Sequence, residues 1–335
     1  MALQQTDLTL LNAWQRDFPL IRAPFAQIGA GLGLDAQAVL ARYSHLQDAG
    51  ALSRIGAVFA PGAGGASLLA AMAVPPERLE TVAAIVSAHP GVNHNYEREH
   101  HVNLWFVATG RDTAAVEQLL RAIEADTGLA VLRLPMLRPY RIETGFDLRG
   151  AQSQDSGATH WARHSLQPQD EPLAALAEQG LPFIEQPFDA WADQLGQPVE
   201  SVLARLAQWL DTKTLSRFGV VVRHHELGFT ANAMTVFDVC DGAVDACGEA
   251  LAQTPGITLA YQRARAPGWP FNLYCMVHGR DRDSVRATVD AAITHAGLHG
   301  KPRATLFSLR RFKQTGARRF AHHGLAPQGA QHAHA

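Results

Sequence analysis

Residues 52–56 read Leu-Ser-Arg-Ile-Gly, and nearly the same pattern returns at residues 215–219 as Leu-Ser-Arg-Phe-Gly. Upstream, Phe-Pro-Leu-Ile at 18–21 returns with the same offset as Leu-Pro-Phe-Ile at 181–184. Downstream, matching segments keep their order while their spacing drifts by a few residues, as it does when loops gain small insertions. A repeat of this kind predicts that the chain consists of two homologous halves.

Within each half, the spacing of the apolar residues changes once, from helical spacing to a series of strands and helices. Residues 7–54 carry apolar residues at helical spacing, which predicts a three-helix unit, with Asp35 as the N-cap of a helix that follows a Gly-containing turn. After Arg54 the order is strand, helix, strand, hairpin, strand, helix, strand. We therefore predict an α+β fold with two tandem copies of a helix-turn-helix (winged-helix-like) unit plus a ferredoxin-like βαββαβ domain. This combination resembles the Lrp/AsnC transcription factors and their RAM-like domain.

The repeat also sets the expected domain boundaries. Residues 149–169 are rich in Gly, Ser, Gln and Ala, which indicates a flexible linker. We expect a helix-turn-helix-like domain at 1–60, a ferredoxin-like AsnC-type domain at 61–148, a linker at 149–169, a second helix-turn-helix-like domain at 170–222, a second ferredoxin-like domain at 223–320, and a disordered tail at 321–335.

The charge balance disfavours a nucleic-acid-binding protein. The 335 residues include 29 Lys and Arg against 31 Asp and Glu, a formal net charge of -2. The predicted recognition segment 35–54 carries two arginines against two aspartates, whereas recognition helices usually present several cations to phosphates and bases. We expect no functional DNA binding. A DNA-binding or heme-sensing Lrp/AsnC-type regulator is the alternative function.

Other features of the composition indicate a cytoplasmic protein. The three cysteines form no CxxC pair and no disulfide framework, so we expect buried, reduced thiols. No apolar run approaches the roughly 20 residues needed to span a bilayer, and the first residues lack the features of a signal peptide. We expect no membrane partner.

The most informative stretch is residues 91–106, Gly-Val-Asn-His-Asn-Tyr-Glu-Arg-Glu-His-His-Val-Asn-Leu-Trp-Phe. Strand alternation places His94, Tyr96 and Arg98 on one face, and His100 continues that face into the hairpin. Buried polar groups without partners cost about 1 to 3 kcal/mol each, so this row is a poor core face and favours a functional site. The alternative is a solvated edge strand with ordinary surface histidines. A zinc site is disfavoured because no third or fourth ligand is evident in the same element.

The second half keeps part of this pattern. The corresponding row is Leu259, Tyr261, Arg263 and Arg265, so the first imidazole is replaced by leucine. The second half adds Arg-His-His-Glu at 223–226, whose histidines could equally be loop residues. It also adds a segment from Trp269 to His278, where the histidine could equally be a satisfied core residue. The six Arg and Lys residues within 303–319 form either a solvated face or a surface for an anionic partner. A Gly-rich loop at 61–67 is too irregular for a phosphate cradle and is expected to be mobile.

These segments together resemble the siroheme decarboxylases, which share the Lrp/AsnC fold but act as enzymes. The resemblance rests on residues 94–106 of the first half and on residues 223–228 and 269–274 of the second. It implies that the chain fuses one subunit type (NirD-like) to its partner (NirL-like), with the linker substituting for subunit association. The implied reaction removes CO2 from two acetate side chains of siroheme and gives 12,18-didecarboxysiroheme in heme d1 biosynthesis.

The resemblance and the chemistry of the residues together suggest roles. The catalytic residues would be His94, His100 and Tyr96, with histidine supplying the proton that replaces CO2. The expected substrate-binding residues are Arg98, His101, Asn103, Trp105, Arg223, His224, Tyr261, Arg263, Trp269 and His278. We expect no metal of the protein's own and no cofactor beyond the substrate-bound iron, to which His94 or His100 could give an axial contact. The expected partners are siroheme and related iron tetrapyrroles. Homodimerisation, association with homologous decarboxylase subunits, and the choice between one composite site and two stay open.

Overall fold

The computed structural model describes residues 4–142, 166–223, 231–317 and 319–320. Most of the expected linker, His224 and the expected tail at 321–335 lie outside these described residues.

The secondary structure repeats along the chain, as the sequence predicts. The first half contains α1 (Gln5–Ala13), α2 (Pro24–Leu32), α3 (Ala36–Asp48), β1 (Leu52–Phe59), β2 (Ala66–Met72), α4 (Leu79–Ala88), β3 (Val92–Arg98), β4 (Leu104–Gly110), α5 (Thr113–Thr127), β5 (Leu132–Leu134) and β6 (Met136–Ile142). The second half contains α6 (Glu171–Gln179), α7 (Pro187–Leu195), α8 (Val199–Asp211), β7 (Leu215–Val222), β8 (Ala231–Phe237), α9 (Val244–Gln253), β9 (Ile257–Arg263), β10 (Leu273–Gly279), α10 (Arg282–His295) and β11 (Arg303–Gln314). Asp35 caps α3 as expected, since its side chain accepts a hydrogen bond from the Ala38 N–H at 2.7 Å.

The two helical units pack into one layer with a shared core. β1 pairs antiparallel with β7, and Gly56 lies opposite Gly219 at the centre of the pairing. A Cβ on Gly219 would lie 2.3 Å from the carbonyl oxygen of Trp14, and one on Gly56 would lie 2.6 Å from that of Ala177. Only glycine therefore lets the first helix of each half cross so closely over the strand of the other half. Apolar residues from both units form a single core cluster.

The other strands form two ferredoxin-like sheets that exchange their last strands. The nine strands follow one continuous order, β5-β2-β4-β3-β11-β8-β10-β9-β6, in which the first four belong to the first half and the next four to the second. β11 pairs with β8 through its first residues, 303–307, and with β3 of the other half through residues 308–314. In the same way β5 pairs with β2, whereas β6 pairs with β9. The predicted α+β fold is confirmed, and the strand exchange joins the sheets at both edges.

The inner faces of the two sheets enclose a core of their own. This cluster draws residues from both halves: Ala71, Val102, Trp105, Leu134, Met234, Val236, Tyr261, Trp269, Tyr274, Met276 and Leu306. The outer face of each sheet is covered by its own helix pair, with separate apolar clusters. Inward-facing residues of β3 and β9 therefore lie between the sheets.

Two sequence-based expectations concern the rest of the chain. Cys275 is buried and Cys247 half-buried, but Cys240 is exposed, so the expectation of three buried thiols is wrong for Cys240. Its position just before a surface turn, outside the sheets, explains the exposure. Within the described ranges, each helix is too short or too polar to cross a membrane.

Candidate functional site

The row on β3 alternates as predicted and faces the space between the sheets. Asn95 points the other way, where its side-chain amide donates to the Ala83 carbonyl of α4 at 3.1 Å. His94 and Tyr96 stack on each other on the inner face, with ring centroids 6.2 Å apart. Both are half-buried, whereas Arg98 is buried.

Arg98 is a cation in an apolar environment. Its Nη1 donates to the Leu306 carbonyl at 3.0 Å, and its Nη2 lies 4.0 Å from the sulfur of Met276. Across the described ranges it makes no ion pair with an Asp or Glu side chain. Burial lowers the pKa of Arg98 to about 10, partly offset by Tyr261 and Tyr96. Buried charges in proteins usually have a counter-ion, so this position is suited to a carboxylate supplied by a ligand.

Tyr96 lies between two arginines. The Arg98 guanidinium is 5.9 Å from the Tyr96 ring centroid, and Arg311 of β11 is paired with Tyr96 across the strands. Burial raises the pKa of the Tyr96 phenol, and the two cations oppose that rise. The phenol therefore stays protonated near neutral pH and can donate a hydrogen bond.

The second row on β9 meets the first at Tyr261. The Arg263 guanidinium lies 4.5 Å from the Tyr261 ring centroid, and its Nη1 donates to the Leu134 carbonyl at 2.6 Å. Like Arg98, Arg263 thus donates to a carbonyl where a strand crosses between the sheets. Because Tyr261 also acts on the pKa of Arg98, both cations lie near one phenol.

Aromatic side chains from both halves form one end of this region. The Trp269 indole N–H donates to the Tyr274 hydroxyl at 2.7 Å, and the Trp269 ring lies 5.2 Å from that of Trp105. The Trp269 ring also lies edge-on to His100 at 5.3 Å. The structure therefore brings His100 and Trp105 together with Trp269 of the other half.

His100 has a restricted protonation state. Its Nδ1 accepts a hydrogen bond from the Val102 N–H at 3.1 Å, so a neutral ring carries its proton on Nε2. Burial, with help from the exposed neighbour His101, lowers the pKa of His100. His94 is near the start of β3, which ends at Arg98, so a strand rise of about 3.3 Å per residue separates His94 from Arg98 by roughly 13 Å. His100 lies beyond that end, after a turn in which its N–H donates to the Arg98 carbonyl at 2.9 Å. The structure does not place these two imidazoles side by side.

Asn103 has both side-chain groups engaged within the fold. Its Oδ1 accepts from the Val74 N–H and its Nδ2 donates to the Val74 carbonyl, both at 2.9 Å. Asn272 makes the same pair of bonds with Val239 in the other half. The asparagine at this position stabilises the β3–β4 hairpin in one half and the β9–β10 hairpin in the other. Asn103 therefore has a structural role.

The remaining predicted residues are spread more widely. Arg223 follows β7, and its N–H donates to the Ala51 carbonyl in the helical layer, away from the β3 row. His278 lies on the inner face of β10, and its Nδ1 is 2.9 Å from the Thr258 hydroxyl. His224 lies outside the described residues. No group of three or more His, Cys, Asp or Glu side chains in the described ranges is arranged to hold a metal ion.

Sequence reasoning missed two residues beside the β3 row. Arg311 pairs with Tyr96, and Gln314 pairs with His94. The equivalent neighbours of the second row are Pro139 beside Tyr261 and Ile142 beside Leu259. The signal was the run of arginines in 303–319, but a run along one strand does not show which other strand it will join.

Comparisons with known proteins place the chain in a family. Residues 7–52 match the siroheme decarboxylase NirDL-like HTH domain, and residues 63–141 and 226–313 match the AsnC-like ligand binding domain. The siroheme decarboxylase NirDL subunit of Paracoccus denitrificans is 42% identical over 95% of this chain and 98% of its own length. The NirD subunit of Stutzerimonas stutzeri is 52% identical over 42% of this chain and 91% of its own length.

A solved structure agrees with the sequence comparisons. The crystal structure of the siroheme decarboxylase NirDL in co-complex with an iron-uroporphyrin III analogue superimposes with a TM-score of 0.67 and 26% identity, covering 94% of this chain and 93% of that one. These matches confirm the resemblance read from the sequence. The chain therefore belongs to the siroheme decarboxylase NirDL family, a group of carboxy-lyases built on the Lrp/AsnC-type fold.

Proposed function

We propose that this protein removes CO2 from two acetate side chains of siroheme and forms 12,18-didecarboxysiroheme, a step of heme d1 biosynthesis. The observation that carries the proposal is Arg98, a buried cation with no acidic partner in the described ranges, next to the inward-facing His94 and Tyr96. The relatives named as siroheme decarboxylases and the neighbour bound to an iron-uroporphyrin analogue support it.

The charges and rings of the site suit an iron tetrapyrrole with several carboxylates. Arg98 and Arg263 flank Tyr261 from the two sheets, so two carboxylates of one macrocycle can each meet a guanidinium. Trp105, Trp269 and Tyr274 are buried and form the apolar packing behind these groups.

Each decarboxylation needs a way to stabilise the electron pair that CO2 leaves behind, and a source of one proton. Breaking the bond between the acetate methylene and its carboxylate leaves an electron pair on the methylene carbon, which the conjugated ring delocalises. A proton then bonds to that carbon, so each acetate becomes a methyl group and one CO2. His94 is the proposed proton donor because an imidazole titrates near neutral pH, and Tyr96 orients the acetate by donating a hydrogen bond.

The two histidines have different proposed roles. His100 has its Nδ1 lone pair engaged by the Val102 N–H, and its lowered pKa favours the neutral ring with a proton on Nε2. A neutral Nε2–H donates to a carboxylate but cannot ligate iron. We therefore propose that His100 binds a propionate or acetate, which leaves His94 as the proton donor.

The proposal needs no cofactor beyond the substrate-bound iron, since the reaction balances with one proton for each CO2. The proposed reaction also does not involve DNA. The arginines of the predicted recognition helices are engaged within the protein, Arg42 with Asp7 at 2.9 Å and Arg205 with Asp170 at 3.5 Å. These pairs leave little free charge for phosphates and disfavour the regulator alternative.

Anaerobic incubation with siroheme, followed by mass spectrometry of the extracted tetrapyrrole, tests the proposal. We expect products that have lost one and then two CO2. Unchanged siroheme, together with retardation of generic DNA at moderate salt, would instead support the regulator. A mutant pair refines the assignment: His94→Ala should leave a folded protein that binds siroheme but barely releases CO2, whereas His100→Ala should leave a folded protein that binds siroheme more weakly.

A further inference from the structure

The segment after β11, residues 315–320, runs from the β3 row to the helical layer. All of it except residue 318 is described, and we name it the C-terminal strap. The Thr315 N–H donates to the Asn93 carbonyl at 2.8 Å, directly beside the pairing of Gln314 with His94. At its other end, Phe320 lies in the core of the helical layer, with its ring 5.7 Å from that of Phe59.

A buried acid of the helical layer holds the strap. Glu178, in the last turn of α6, is 5% exposed. One of its carboxylate oxygens accepts the Arg319 N–H at 2.7 Å and the Phe320 N–H at 3.4 Å. Its other oxygen lies 3.4 Å from Nη1 of Arg319. A carboxylate that accepts backbone N–H groups and pairs with a cation makes charge-assisted hydrogen bonds, which are stronger than neutral ones.

The Gly-rich loop that precedes β2 makes room for the strap. A Cβ on Gly64 would lie 3.2 Å from the Phe320 ring, and one on Gly65, whose φ is +70°, would lie 3.0 Å from Cδ of Arg319 and 2.5 Å from the Gly110 carbonyl oxygen. The missing side chains of Gly64 and Gly65 allow the backbone and the strap to approach each other.

The other half lacks this acid. The repeat aligns Glu178 with Gln15, and Arg54 with Arg217. Arg217 donates to the Gln15 backbone carbonyl at 2.6 Å, so that arginine is held by a main-chain oxygen. Arg54 instead lies near Glu178 and also packs against Gly316 of the strap, where a Cβ would be 2.5 Å from its Nη1. A carboxylate therefore occurs at the position where the strap brings a second arginine, Arg319, close to Arg54.

We propose that Glu178 is a positioning residue for the decarboxylase site: by holding the C-terminal strap, it fixes the end of β11 so that Arg311 and Gln314 stay opposite Tyr96 and His94. The inference rests on the function proposed above. It also gives the helix-turn-helix layer, which contains none of the proposed catalytic residues, a role in the enzyme.

Three variants separate the strap from general stability. Glu178→Gln keeps an oxygen that can accept the two backbone N–H groups but removes the charge, and Glu178→Ala removes both. Asp170→Asn is the matched control, because Asp170 is a buried acid directly before α6 that pairs with Arg205 and not with the strap. For each full-length variant, hydrogen exchange of peptides covering 310–320 measures strap docking. Titration with iron uroporphyrin and steady-state kinetics with siroheme measure the site.

We expect exchange in 310–320 to rise in the order wild type, Gln, Ala, while Asp170→Asn leaves it unchanged. Kd for iron uroporphyrin and KM should rise about tenfold in Glu178→Ala, the scale for losing one charge-assisted contact, with kcat changed much less. Unchanged exchange would overturn the docking role, and faster exchange with unchanged Kd and KM would overturn the positioning role. A wild-type protein that binds no tetrapyrrole would instead overturn the proposed function, while the exchange results would still report on the strap.

Discussion

Replacing Arg98 with Met should make the protein more stable and a poorer binder. Arg98 is buried, donates one hydrogen bond to the Leu306 carbonyl, and has no acidic partner among the described residues. Its pKa falls from 12.5 to about 10, and about 1.4 kcal/mol per pKa unit makes the cost of keeping the charge buried about 3 kcal/mol. Losing the hydrogen bond costs about 1 kcal/mol. The Met variant should therefore gain about 2 kcal/mol in the free energy of unfolding.

The same change should weaken binding of a carboxylated tetrapyrrole. A charge-assisted hydrogen bond contributes about 1.5 to 3 kcal/mol, so Kd for iron uroporphyrin should rise roughly 10- to 100-fold. Urea unfolding measures the first effect and absorbance titration of the tetrapyrrole the second. Arg265→Met is the control, because Arg265 is exposed and pairs with Asp238 and Asp241 outside the site.

A less stable Arg98→Met protein with unchanged Kd would refute this reasoning. It would mean that Arg98 serves as a clamp for the strand crossing at Leu306 and not as an anion-binding group.

Three further predictions concern single residues. His94→Ala should slow CO2 release, measured by rapid mixing, by about 100-fold or more while Kd stays within a few-fold. His45→Ala is the control: His45 is an exposed histidine, and this variant should behave as wild type. Asn103→Ala should lower the free energy of unfolding by about 2 kcal/mol, because it leaves two polar groups of Val74 unpaired, and kcat of the remaining folded enzyme should be unchanged. The hydrogen bond from Arg133 holds the pKa of Glu124 at about 2. A carboxyl group whose pKa is lowered by folding stabilises the folded protein at pH values above its ordinary pKa. That contribution is lost as the pH falls through the lowered pKa. Glu124→Gln should thus be destabilised by about 1 kcal/mol at pH 7, after allowance for solvent screening, with the difference shrinking towards pH 2 in urea unfolding.

The site was only partly predictable from the sequence. Alternation along β3 was enough to put His94, Tyr96 and Arg98 on one face, because the period of a strand is fixed by its backbone geometry. Asn103 was placed among the binding residues because it stands beside that row. Its two bonds to Val74 depend on a neighbouring strand that is about thirty residues away in the chain, which no local pattern reveals.

Long-range pairing also explains the residues that were missed. Arg311 and Gln314 belong to a strand that begins in its own sheet and ends in the other, so their partners are more than two hundred residues away in the chain. Trp269, between β9 and β10, contacts His100 of the other half from a longer hairpin, and this partner is also distant in the chain. Composition and spacing report which residue types are present, but contacts between the two halves depend on how the halves pack.

The sequence by itself determined the duplication, the α+β class, the family and the polar row on β3, because repeats, hydrophobic periods and strand alternation are local properties of the chain. Only the tertiary structure decided that β11 completes the first half's row, that Arg98 is buried without a described acid beside it, and that Glu178 holds the C-terminal strap. These features arise from the exchange of strands between two sheets. Burial and electrostatic environment are set by what packs against a residue, and the residues that pack here are distant in sequence.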